Sequence, residues 1–127
     1  MLDARSGSNP ALHRTFTVAE ADTASAVGSG TVAVLGTPRL IAWCEGLSVE
    51  LADHVGVSEG RTTVGTRIEL DHLRPSPVGE EVTVSVVLNE HEGRRWGFDV
   101  SAAHGDGSVV ARGVVRRAEV EVEGFGG

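Results

Sequence analysis

Four residues carry chemistry that the rest of the chain does not duplicate: Thr37 and Glu45, eight positions apart, then Gly65 and His72, seven positions apart. A hydroxyl, a carboxylate, an imidazole and a strand glycine are the parts of an acyl-transfer site. Such a site needs an activated water or nucleophile, a proton acceptor, and N–H donors aimed at a developing oxyanion. His72, with an ordinary pKa near 6.5, can take a proton at neutral pH; its alternative is a packed, hydrogen-bonded strand histidine. Glu45 can activate water or attack an acyl carbon, and partial burial would raise its pKa; its alternative is a solvated helix charge. Thr37 serves either as a helix cap or as a substrate contact. Gly65 marks either a bulge or a close approach of ligand to backbone.

The absences narrow the chemistry. All eleven basic residues are arginine, and the chain contains neither lysine nor tyrosine, so Schiff-base and tyrosine acid catalysis are excluded. The single cysteine, Cys44, can form neither an intrachain disulfide nor a CxxC pair and reads as a small core residue. A net charge of −7 argues against sequence-independent nucleic-acid binding, which needs a basic surface. No segment reaches membrane-spanning length, and residues 1–11 lack the apolar run of a signal peptide, so a cytoplasmic setting is expected.

The positioning elements follow from periodicity. Thr37-Pro38 reads as an N-cap with a first-turn proline, and Gly56 as the stop. Between them Leu40, Cys44, Leu47, Leu51 and Val55 recur at spacings of three and four, with Ile41, Trp43 and Ala52 widening the stripe. Glu45 falls on the stripe's border, where a carboxylate can look into a cleft. After the helix the period becomes two. Val82, Val84, Val86 and Leu88 form one alternating set, and Trp96, Phe98, Val100 and Ala102 another. Strands beginning near Glu81, Arg94 and Ser108 then make a meander, and Thr62–Leu73 forms a further strand stopped by Arg74-Pro75-Ser76-Pro77. Arg14–Val18 and Thr23–Val27 are read as short strands, and Gly28–Gly36 as a loop or lid. The expected architecture is α+β: about five antiparallel strands curled around one long helix, in a single domain over residues 12–123 between loose tails at 1–11 and 124–127.

Several motifs fail on context. Gly28-Ser-Gly30-Thr-Val-Ala33 fits a dinucleotide fingerprint but precedes no helix at the glycines and no parallel sheet. Gly46-Leu-Ser48-Val-Glu50 lacks the second glycine of a nucleophile elbow and lies within the helix. Five scattered histidines contain no HExxH, and Glu90-His91-Glu92 reads as a hairpin end, so no metal is expected.

In order and spacing, Thr37, Glu45, Gly65-Thr66, His72, the His72–Gly79 exit, Glu92-Gly-Arg-Arg95 and Arg117 resemble the fluoroacetyl-CoA thioesterase type within the hotdog-fold superfamily, over most of residues 36–120. That resemblance implies a hotdog fold and hydrolysis of a small or medium acyl-CoA thioester, with Thr37, Glu45 and His72 as catalytic residues and the Gly65 N–H on the thioester oxygen. It implies Arg117 and Arg95 as substrate-binding residues, no metal or redox cofactor, and CoA thioester as substrate. In that type a longer, aromatic-containing lid precedes the helix; the short segment Gly28–Gly36 departs from it, so selection of a fluorinated acyl group is not expected. Thr37 and Glu45 would lie about 12 Å apart along one helix, so the site must be assembled across a cleft, which in hotdog proteins lies at a dimer interface. A homodimer or dimer of dimers is implied, with no nucleic-acid or membrane partner. Two alternatives keep the fold: a dehydratase or hydratase of β-hydroxyacyl or enoyl thioesters, and a non-catalytic acyl-CoA binding module.

Overall fold

A computed structural model describes residues 2–3 and 9–125; of residues 2 and 3 only the backbone is described. Much of the expected N-terminal tail and the last two residues of the C-terminal one lie outside these limits. Leu2–Asp3 (β1) pairs with the start of Ala11–Thr17 (β2). The other strands are Arg61–His72 (β3), Glu81–Glu92 (β4), Arg95–His104 (β5) and Val109–Glu121 (β6). All pair antiparallel in the order β1-β2-β4-β5-β6-β3, so five long strands and a two-residue edge piece make one sheet.

The sheet wraps the helix α2, Thr37–Val55, as the hotdog layout requires. The buried face of α2 is Leu40, Cys44, Leu47, Ser48, Leu51 and Ala52. Ser48 is accommodated there because its hydroxyl donates to the Cys44 carbonyl at 2.8 Å. Opposite them Val82, Val84, Val86, Phe98, Val100 and Ala102 supply the inward set of β4 and β5. Burial of this apolar set on both layers is the main force holding the helix across the sheet. Val55 departs from the expected stripe and is 38 % exposed, because it sits in the last turn just before the Gly56 stop.

Two local expectations change. Thr37 is not the N-cap: Gly36, extended at φ −75° and ψ 139°, holds that position, its carbonyl accepts from the Leu40 N–H, and Thr37 is the first helical residue. Its hydroxyl is therefore free for another partner. The stretch Thr23–Val27 is a single helical turn, Ala24–Val27 (α1), rather than a strand, because the Thr23 hydroxyl accepts from the Ala26 N–H and Gly28 ends the turn at φ +79°. No side chain fits at Gly36, where a Cβ would lie 2.9 Å from Val27 Cγ2 and 3.1 Å from the Ala24 backbone, so this glycine lets α1 pack on the start of α2.

Among the described residues, no helix is long and apolar enough to cross a membrane. Cys44 is buried in the core, and burial pushes its thiol up to about 12, with the neighbouring Glu45 charge adding to the effect. The native protein is accordingly expected not to react with a thiol-detecting disulfide reagent on the timescale on which guanidinium-unfolded protein releases one equivalent; equal rates in the two states would contradict this burial.

Candidate active site

The four candidate residues form two pairs within one chain. At the first, the start of α2 meets the end of β3, and Thr37 Oγ1 lies 2.8 Å from His72 Nδ1 in a hydrogen bond. The hydroxyl that the cap does not use is thus committed to the imidazole. His72 is half-buried, and burial lowers its pKa below 6.5, opposed by the Arg74 backbone, which favours the charged ring. The ring is neutral at pH 7, the state in which Nδ1 can accept from Thr37. Beside this pair lies a cavity of about 320 Å³ whose apolar walls include Val32, Val34, Leu35 and Leu73. The expected lid segment therefore forms one wall of an open cavity beside Thr37 and His72, held by backbone bonds from Leu35 to Ser76 and from Ala24 to Val34.

The second pair lies two turns further along α2. Glu45, with its side chain 34 % exposed on the border of the helix stripe, accepts from Arg117 Nη1 at 3.0 Å. Arg117 is buried in β6, and its remaining contacts go to β3: Nε donates to Thr63 Oγ1 and Nη2 to the Thr63 carbonyl, both at 2.9 Å. Burial lowers the Arg117 pKa while Glu45 raises it; so strong a base stays charged regardless. Gly65 explains itself here. A Cβ at that position would stand 2.6 Å from Glu45 Oε2 and 3.5 Å from Arg117 Nη1. The bulge reading of Gly65 holds, since the β3–β6 register shifts at Gly65/Arg67, and a side-chain carboxylate lies against the Gly65 backbone. The group that approaches is the protein's own Glu45.

Further down the same inward face, Glu119 is buried and accepts from Trp96 Nε1 at 3.1 Å and Arg61 Nε at 3.0 Å. Arg95 behaves differently from Arg117: it is exposed on the β4–β5 hairpin and pairs with Glu92 at 2.7 Å. Both arginines line a groove of about 300 Å³ with Thr66, Glu90 and Arg116. Among the described residues no cluster of three His, Cys, Asp or Glu side chains stands close enough to hold a metal ion. Thr63 is the site residue that motif reading passed over. Its signal was strand alternation, which puts it two positions from Gly65 on the same face of β3.

The two pairs do not meet in one chain. Eight helical residues separate Thr37 from Glu45 by about 12 Å, and seven strand residues separate Gly65 from His72 by about 23 Å.

A long helix cradled by one antiparallel sheet defines the hotdog fold. The profile of the fluoroacetyl-CoA-specific thioesterase family matches residues 18–123, and the chain belongs to that family; it is a thioester hydrolase. No curated protein matches the sequence. Among solved structures, it is similar to a phenylalanine-to-alanine variant of the fluoroacetyl-CoA-specific thioesterase in complex with fluoroacetate and CoA, at 26% identity and a TM-score of 0.83 over 91% of this chain and 95% of that one. It is likewise similar to a hot-dog-like protein from Thermanaerovibrio acidaminovorans, at 28% identity and a TM-score of 0.78 over 88% and 82% of the two chains. A thioesterase superfamily member from Thermus thermophilus shares the fold at 20% identity, with a TM-score of 0.79 over 87% and 81%.

Two outcomes follow from this geometry. Gly65→Ala must displace the Glu45 carboxylate from Arg117, so turnover is expected to fall about tenfold or more with the fold retained by circular dichroism; unchanged turnover would mean that Glu45 is not held against Gly65. The His72 ring, followed by NMR titration, is expected to have its midpoint below 6.5. Because the unfolded chain binds this proton first, acid weakens the fold from about pH 6.5 downward until the folded ring also charges. A midpoint above 6.5 would contradict the burial.

Proposed function

We propose that this protein hydrolyses small or medium acyl-CoA thioesters at a site completed by two copies of the chain, each supplying one of the two pairs. The observation that carries the reading is the division itself: a hydroxyl–imidazole pair and a carboxylate–glycine pair, each complete within one chain and too far apart to act on the same carbon. β3, which carries Gly65 and His72, is a sheet edge, and an edge open to pairing with a second copy supports the homodimer. Pairing of such dimers would give a dimer of dimers.

In this reading the thioester oxygen rests on the Gly65 N–H, and Glu45 accepts a proton from the attacking water. Thr37 Oγ1, donating its own proton to Nδ1 of neutral His72, accepts a hydrogen bond from that water's second hydrogen and aims its lone pair at the acyl carbon. The C–O bond forms, the C–S bond breaks, and the proton on Glu45 passes to the departing thiolate, giving free acid and CoA thiol. The cavity beside Thr37 and His72 takes the acyl group; its walls of valine and leucine suit a short or medium apolar chain and offer no aromatic lid for a fluorinated one. Arg95, free at the hairpin apart from its carboxylate neighbours, is the available contact for CoA phosphate. The chemistry needs no metal or redox cofactor, and a cytoplasmic setting supplies the substrate.

A panel of acyl-CoA thioesters assayed with a thiol-detecting dye tests this directly, since the buried Cys44 contributes little background. Turnover is expected on short and medium chains, and His72→Ala or Glu45→Gln should lower kcat by about 10²-fold or more with the dimer intact by light scattering. Wild-type turnover in both variants would overturn the assignment. Enoyl absorbance changes without thiol release would establish the hydratase alternative, and binding of CoA esters without turnover the non-catalytic one.

A further inference from the structure

Resting on the catalytic assignment of Glu45 above, we propose that Thr63 is a positioning residue of the reaction, acting through Arg117 to hold the Glu45 carboxylate in place. Arg117 could be taken for an anion clamp waiting for substrate, but its contacts are with the protein. One face of the guanidinium is committed to Thr63, through Nε to the hydroxyl and Nη2 to the carbonyl, both at 2.9 Å, and Nη1 is committed to Glu45 at 3.0 Å. Thr63 and Arg117 are both buried.

The strand register explains the direction of the fork. Gly65 lies opposite Arg117, whereas Thr63 lies opposite Glu119. The Arg117 side chain therefore does not stand over its own register partner but runs diagonally along β3 to Thr63. That lean carries Nη1 past Gly65, where the missing Cβ leaves room for Glu45 Oε2. A planar guanidinium held at two nitrogens has little freedom at the third, so fixing Nε and Nη2 fixes Nη1. The Thr63 hydroxyl is the one contact in this chain that a side-chain change can remove while leaving the backbone carbonyl contact, the cation and the carboxylate in the molecule. Valine at this position keeps the branched shape and leaves Nε a buried donor with no acceptor, which rotates the fork off Glu45.

The test measures kcat and KM for Thr63→Val, Thr63→Ser, Glu45→Gln and the double variant Thr63→Val/Glu45→Gln, with melting temperatures alongside. Expected is a roughly tenfold loss in kcat for Thr63→Val with KM within about twofold, recovery to near wild type in Thr63→Ser, and no further loss when Thr63→Val is added to Glu45→Gln. Full activity in Thr63→Val while Glu45→Gln is inactive would overturn the role of Thr63 alone. Equal impairment of the serine and valine variants, or the same loss in both the wild-type and Glu45→Gln backgrounds, would also overturn it, by showing that Thr63 acts through packing rather than through Glu45. Wild-type turnover in Glu45→Gln would overturn the catalytic reading on which the proposal stands. If Thr63→Val does not fold, the active Thr63→Ser form is compared with Arg117→Lys, which keeps the charge and loses the fork; turnover in Arg117→Lys equal to that of Thr63→Ser would overturn the proposal.

Discussion

The ion pair between Glu45 and Arg117, laid against the bare backbone of Gly65, constrains more of this structure than any other polar contact. A buried guanidinium is costly unless its donors are met, and here the helix supplies one acceptor and the adjacent strand two. The requirement reaches outward from there. Gly65 can carry no side chain while Glu45 keeps its place, the β3–β6 ladder shifts register beside it, and Glu45 must lie on the border of the helix stripe rather than on its solvated side. Apolar burial decides that α2 lies across the sheet. This pair decides how α2 is rotated when it does.

That rotation has a cost for a one-chain site. With Glu45 fixed over Gly65, the first turn of α2 lands at the far end of β3, where Thr37 meets His72. Helix and strand advance by different rises per residue, so eight helical residues span about 12 Å and seven strand residues about 23 Å, and the two pairs stand apart along both elements. The result is two well-formed polar pairs at two ends of one helix segment. Thr37 meets Nδ1 of His72 while Nε2 of the same ring is buried without a partner, and in the proposed reading neither pair alone holds a full set of groups for thioester hydrolysis. The sheet edge that carries both is the one that a second copy can join.

Much of this was legible before the structure. The 3-and-4 spacing from Leu40 to Leu51 and the period-two sets on β4 and β5 report burial directly, and burial determines the fold. The types of Thr37, Glu45, Gly65 and His72 pointed to acyl chemistry for the same reason: few other roles use all four. What was not legible depends on tertiary placement. Thr37 looks like a cap because a threonine before Pro38 usually is one, and only the extended Gly36 shows that the helix begins a residue earlier. Thr23 to Ala26 has the small, alternating composition of a strand, yet a single hydroxyl cap makes it a helical turn. Thr63 gave no motif at all, because its importance comes from a side chain on another strand leaning diagonally toward it. Arg117 and Arg95 look alike in sequence, and only pairing separates a buried fork from an exposed hairpin charge.

The claim that two copies share each site is tested most directly by mixing inactive subunits. A His72→Ala chain and a Glu45→Gln chain, each inactive alone, are combined, unfolded and refolded together, and the thiol release of the mixture is measured. If each site takes its hydroxyl–imidazole pair from one copy and its carboxylate–glycine pair from the other, half of the dimers are mixed and each mixed dimer holds one intact site, so about a quarter of wild-type activity returns. If each chain works alone, the mixture stays as inactive as its parts, and the two-copy account is wrong.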